Sequence, residues 1–146
     1  MRWYRGLYLG EGLEDKKEKL IEKIEKSAGT PGIYVVTLAA NGTDLFDIFS
    51  TDYLLQPVLH GHCPMVVGLC KGYEEAVEMA TSIALEGYRE TGSFAVLPFL
   101  KGRLTEGEEL AWEYPSEHLR LHHKISFAYL YERLRDMILH GFKRNG

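Results

Sequence analysis

Apolar residues along this chain recur at two spacings, and each spacing predicts an element. Leu7-Tyr8-Leu9 is a short apolar stretch that can pair as an edge strand. Across residues 11–27 the positions Leu13, Leu20, Ile21 and Ile24 fall on one helical face, and Gly29 offers a left-handed stop. Residues 32–39 are almost continuously apolar and β-branched, which predicts a strand covered on both faces. Asn41-Gly42 breaks that run. Thr43 or Asp44 can then cap a helix, which Leu45, Ile48 and Phe49 predict and Pro57 ends. A second buried strand is expected over residues 65–70, entered through Cys63-Pro64. The clearest helix comes after Lys71-Gly72, with Tyr73, Ala76, Val77, Ala80, Ile83, Ala84, Gly87 and Tyr88 in helical register up to Thr91-Gly92. Phe94-Ala95-Val96-Leu97 predicts a third strand ended by Pro98. Leu110, Trp112 and Tyr114 alternate with polar neighbours as in a half-exposed strand, and Phe127, Leu130, Tyr131, Leu134 and Ile138 form the face of a terminal amphipathic helix.

Strand–helix–strand–helix–strand order implies right-handed crossovers between parallel strands. The expected fold class is therefore α/β: a single-domain three-layer sandwich whose mostly parallel sheet has three core strands plus edge strands, with helices on both faces. The core would span residues 7–100, and residues 101–146 would wrap its edge. The 146-residue length, 45% hydrophobic and 26% charged, fits one globular domain and argues against a disordered, collagen-like or coiled-coil chain.

Several stretches resemble a family of small uncharacterised bacterial α/β proteins. They are Leu7-Tyr8, Ile33-Tyr34-Val35-Val36-Thr37-Leu38, Leu54-Leu55-Gln56-Pro57, Val66-Val67-Gly68-Leu69-Cys70-Lys71-Gly72 and Tyr88-Arg89-Glu90-Thr91-Gly92. The similarity covers roughly residues 7–100. It implies a bacterial, cytoplasmic protein and brings no activity, cofactor or catalytic residue with it.

Charge narrows the partners. The net charge of -4 gives no general attraction to nucleic acid or anionic lipid. From residue 117 onward six basic residues face three acidic ones, yet no nucleic-acid-binding signature accompanies them, and cations near a helix C-terminus complement its dipole. In residues 11–26 six acids offset five lysines, which predicts a solvated helix face. No segment reaches the ~18 unbroken apolar residues of a membrane span. Cys63 and Cys70 lie seven apart on one predicted strand, too far for a disulfide, so free thiols and a cytoplasmic location are expected.

In open parallel sheets, ligands bind beyond the carboxyl ends of the strands. That edge would be built here from Asn41, Thr43 and Asp44 after one strand and from Lys71 and Tyr73 after the next. Helix N-termini there would favour a small anionic ligand. Turn formation, capping and a solvated lysine explain the same residues without a ligand, and Asp44, Glu74 and Glu75 would repel an anion. Neither a P-loop nor a GxGxxG spacing is present. His60 and His62, beside Cys63, are the weak metal candidates. His118, His122 and His123 form a second histidine cluster without the HExxH glutamate. The paired acids Glu74-Glu75 and Glu108-Glu109 have no acid–base spacing.

No cofactor is implied. The expected function is a non-catalytic α/β module that self-associates or docks on a partner, with a small anionic ligand at the strand ends. The alternative is a small hydrolase or transferase using loops 41–44 and 71–74 with His60 or His62. Aromatic residues concentrate at the chain ends, at Trp3, Tyr4, Tyr8, Trp112, Tyr114, Phe127, Tyr129, Tyr131 and Phe142, and suggest a homodimer formed through those segments.

Overall fold

The computed structural model describes residues 1–40 and 45–114. Five strands form one mixed sheet: β1 (Arg2–Leu9), β2 (Ile33–Leu38), β3 (Phe46–Ser50), β4 (Val66–Lys71) and β5 (Ala111–Glu113), in the order β3-β2-β4-β1-β5. The helices are α1 (Lys17–Glu25), extended backwards by a 3-10 turn at Glu14–Lys16, α2 (Pro57–Gly61), α3 (Tyr73–Thr91) and α4 (Val96–Gly102).

The expected parallel core is overturned. Only β1 and β4 run parallel among the described strands, while β2–β3, β2–β4 and β1–β5 are all antiparallel. Two segments account for this. Leu45, Ile48 and Phe49 fit helical spacing, but residues 46–50 also alternate along a strand, with Asp47 and Phe49 buried and Phe46, Ile48 and Ser50 partly exposed. Asn41-Gly42 between two apolar runs is a strong hairpin signal, and it outweighs a helix of barely one turn. The second segment is residues 94–97. Pro98 lies in the first turn of α4, where its missing N–H costs no helical bond, so it marks a helix start and not a strand end.

Side chains of each inner strand alternate between the two faces, with one slip at Gly68 in β4, where the register with β2 shifts. Trp3, Val35, Val66 and Leu69 meet Leu20, Ile21 and Ile24 of α1 on one face. Tyr4, Val36, Val67 and Cys70 meet Ala76 and Ile83 of α3 and Phe99 and Leu100 of α4 on the other. The near-continuous apolar runs of β2 and β4 result from this double cover. Between Trp3 and Tyr8 the pairing of β1 with β4 is irregular, so that five steps along β1 match only two from Val66 to Gly68. β1 thus starts well before the apolar run at Leu7.

Helix ends are set locally. Gly92 adopts the left-handed conformation (φ 72°) at the end of α3, and its N–H donates to Tyr88 O. The end of α1 differs from expectation. Ser27, not Gly29, takes the left-handed position just after the helix (φ 53°), with Ser27 N–H donating to Ile24 O and Ala28 N–H to Lys23 O. Gly29 and Gly32, also at positive φ, then carry the chain into β2.

The aromatic residues near the N-terminus are used inside the chain. Trp3 and Tyr4 are fully buried, Trp3 stacks on Trp112 at 6.4 Å, and Tyr4 donates to Leu100 O at 2.7 Å. The predicted terminal helix lies outside the described residues. No described helix is long and apolar enough to cross a membrane.

Candidate functional site

Because β1 and β4 are parallel, their carboxyl ends emerge at the same edge of the sheet, where β2 begins: Leu9 pairs with Leu69, and Ile33 with Lys71. The backbone knits this edge together. Gly10 N–H donates to Leu69 O, Leu13 N–H to Gly10 O, and Gly72 N–H to Gly32 O. The turn after β1 delivers Leu13 and the start of α1 directly above the edge. Between α1, residues 29–33 and the end of β4 lies a groove of about 510 Å³, within the usual range for small-molecule sites.

Its lining has two chemistries. Leu13, Leu20 and Ile33 form the floor, all three nearly buried, and Pro31 and the glycines of the 29–32 turn close one side. Lys16, Lys19 and Lys23 come from α1 and its 3-10 extension and Lys71 from β4, and among the described residues no carboxylate lines the groove. Positions 16, 19 and 23 have i, i+3, i+7 spacing, so the helix places all three on one side. Lysine stems are aliphatic, so each contributes apolar wall below a charged tip. Lys71 leans over the exit turn of β1: a Cβ on Gly12 would stand 3.5 Å from its Nζ.

Three acids of the surrounding segments have partners of their own. Glu25 turns into the core, where its Oε1 accepts from Trp3 Nε1 at 2.6 Å and lies 3.1 Å from the Met1 amine. Glu22 pairs with Lys26 at 2.6 Å, and that hydrogen bond holds the Glu22 carboxyl below its ordinary range. Glu75 accepts from Glu11 N–H at 2.9 Å. Charges that cancel along the sequence are therefore sorted in space. Lys16, Lys19 and Lys23 are readable in the sequence as one stripe, but their relation to Lys71 requires the fold.

Of the residues expected to bind a ligand, Lys71 lies in the groove. Tyr73 does not: it opens α3 on the opposite face, with its ring edge-on to Tyr34 at 6.0 Å. Asn41, Thr43 and Asp44 lie outside the described residues. The expectation that the ends of both inner strands share an edge is nonetheless corrected. β2 runs antiparallel to β4, so Leu38 ends beside Met65, at the opposite edge from Lys71, with its N–H donating to Met65 O.

His60 and His62 flank the other end of β4. His60 Nε2 lies 3.0 Å from Ile24 O, and His62 Nδ1 lies 2.9 Å from Val58 O. Both rings thus engage main-chain carbonyls, and the length of β4 separates them from Lys71. No group of three or more metal-ligating side chains is found among the described residues. His118, His122 and His123 lie outside them.

Cys63 and Cys70 are free, and burial pushes each thiol up to about 12. Neither is a ready thiolate at neutral pH. Burial also raises Tyr4. All three groups hold their protons more tightly folded than unfolded, so rising pH deprotonates the unfolded chain first and stability falls. The decline is expected to begin near pH 9, where an unfolded thiol titrates, and to continue to about 12. Urea midpoints measured from about pH 7 to about pH 11.5 check this, and a flat profile would contradict the buried, protonated thiols.

No protein-family profile, curated protein or solved structure matches this chain.

Proposed function

We propose that this protein is a non-catalytic binding module whose groove at the carboxyl ends of β1 and β4 takes a small anionic ligand. One observation carries the reading: among the described residues, four lysines and no carboxylate surround a concave, largely apolar floor, in a chain whose net charge is -4. Like charges gathered at one place repel one another, and an anion relieves that repulsion. The start of α1 points the same way. Lys16 caps it without a side-chain hydrogen bond, and Lys17 and Lys19 sit in the turn where the helix dipole favours negative charge. Glu14 and Asp15 in the preceding 3-10 turn and Glu18 in the first turn of α1 offset part of that cost. Raised thiol pKa values and histidines bonded to backbone carbonyls are consistent with binding as the module's role.

Thermal unfolding in phosphate, sulfate and chloride at matched ionic strength tests the reading. A ligand at 100 times its Kd stabilises the folded state by about 2.7 kcal/mol. Phosphate is expected to raise Tm above the chloride value. The increment should be lost in Lys19→Gln/Lys23→Gln and kept in Lys26→Gln, whose lysine adjoins α1 but lies outside the groove. An equal increment in all three proteins would overturn the site.

A further inference from the structure

We infer, resting on the anion-binding reading above, that the ligand is a compact polyanion: a small molecule carrying two or more phosphate groups, held along the lysine row by charge at several points. The spacing of the lysines carries this. At 1.5 Å of rise per residue, Lys16, Lys19 and Lys23 are separated along the axis by roughly 4.5 and 6 Å, a row about 10 Å long. Lys71 faces that row from the end of β4. One phosphate group touches neighbouring ammonium tips but cannot span the row, and a single small anion leaves most of the four charges uncompensated. Two or more linked anionic groups match both the length and the charge.

The surroundings limit the size of the ligand. Glu11 and Glu75 lie beside the exit turn of β1, and Glu14, Glu18 and Glu22 lie along the α1 segment outside the lining. An extended polyanion such as nucleic acid or an anionic membrane surface would meet these carboxylates and the overall charge of -4, whereas a molecule contained in about 510 Å³ meets only the lysines. Among the described residues the lining also contains no aromatic ring on which a nucleobase would stack. The phosphate chain, with at most a short aliphatic body over Leu13, Leu20 and Ile33, is therefore the recognised part.

The test is a calorimetric titration of the full chain with orthophosphate, pyrophosphate and tripolyphosphate at matched low ionic strength. Affinity is expected to rise about tenfold with each added phosphate, because each brings a further charge within reach of a lysine. It should fall steeply toward 1 M salt, where screening shortens to about 3 Å. Lys16→Gln, at one end of the row, and Lys71→Gln, facing it, should each weaken tripolyphosphate about tenfold or more while changing orthophosphate by less than about threefold. Lys26→Gln should change neither. A flat series, with orthophosphate binding as tightly as tripolyphosphate and still needing Lys19 and Lys23, overturns the polyanion and leaves the anion site standing. No heat with any of the three, together with no Tm increment, overturns both. Binding of an oligomeric single-stranded DNA or of phosphatidylglycerol vesicles more tightly than tripolyphosphate would replace the compact ligand with an extended one. Circular dichroism of each variant separates loss of a site from loss of the fold.

Discussion

Trp3→Ala is expected to lower the unfolding free energy by about 3–5 kcal/mol, the range for removing a large buried aromatic side chain. Trp3 is fully buried near the start of β1, and its ring stacks on Trp112 of β5, so it joins the sheet edge to the α1 core. Its indole N–H also donates to Glu25, which is 1% exposed. Truncation therefore opens a cavity and removes a partner from a buried carboxylate, whose penalty adds to the cavity term. Since small domains are stable by about 5–15 kcal/mol, this single change removes a large share of the total. Trp3→Phe refills part of the volume but not the hydrogen bond, and should cost about 1–3 kcal/mol. If the bond is the reason, Glu25→Gln should be less damaging in a Trp3→Phe background than in the parent, giving a non-zero coupling energy in urea unfolding. A Trp3→Ala cost below about 1 kcal/mol would show that β1 does not begin where the structure places it.

Phe99→Ala carries the second large effect, also about 3–5 kcal/mol, and it discriminates the observed α4 from the strand expected over residues 94–97. In the structure Phe99 is 2% exposed, while Phe94 is 50% exposed and stacks on Tyr88 at the surface. A strand at 94–97 would have made Phe94 and Val96 the buried pair. Phe94→Ala is accordingly expected to cost less than about 1 kcal/mol. Phe99 lies against Gly87 so closely that a Cβ there would stand 3.1 Å from its Cδ1. Gly87→Ala should therefore crowd the α3–α4 contact and destabilise by about 1–3 kcal/mol despite the better helix propensity of alanine. Chemical unfolding of the three variants checks the ranking, and a costlier Phe94→Ala than Phe99→Ala would reverse the assignment.

Where the residues themselves hold enough local information, the sequence is legible. The 73–91 helix needs only its apolar register and Gly92, and β2 and β4 need only their near-continuous apolar runs. Residues 46–50 are not legible, because a five-residue segment satisfies a helical and a strand period equally well. Residues 94–98 fail for a related reason: proline ends a strand and opens a helix with equal ease. Those two ambiguities reverse the sheet. An inserted antiparallel strand reverses the strand directions, so β2 ends at the edge opposite Lys71.

Of the candidate site, Lys71 and the helical spacing of Lys16, Lys19 and Lys23 are readable, but their meeting in one groove is not. Composition across residues 11–26 sums six acids and five lysines to near neutrality, and a sum discards direction. By itself the sequence determined that the segments of β2 and β4 are buried, where α3 starts and stops, and that Lys71 stands at a strand end. Only the tertiary structure decided that β1 lies parallel to β4, that Glu25 turns inward to meet Trp3, and that Lys16, Lys19 and Lys23 face Lys71 across one groove. The physical reason is that burial pattern is written in local periodicity, whereas strand direction and charge clustering arise from contacts between residues far apart in the chain.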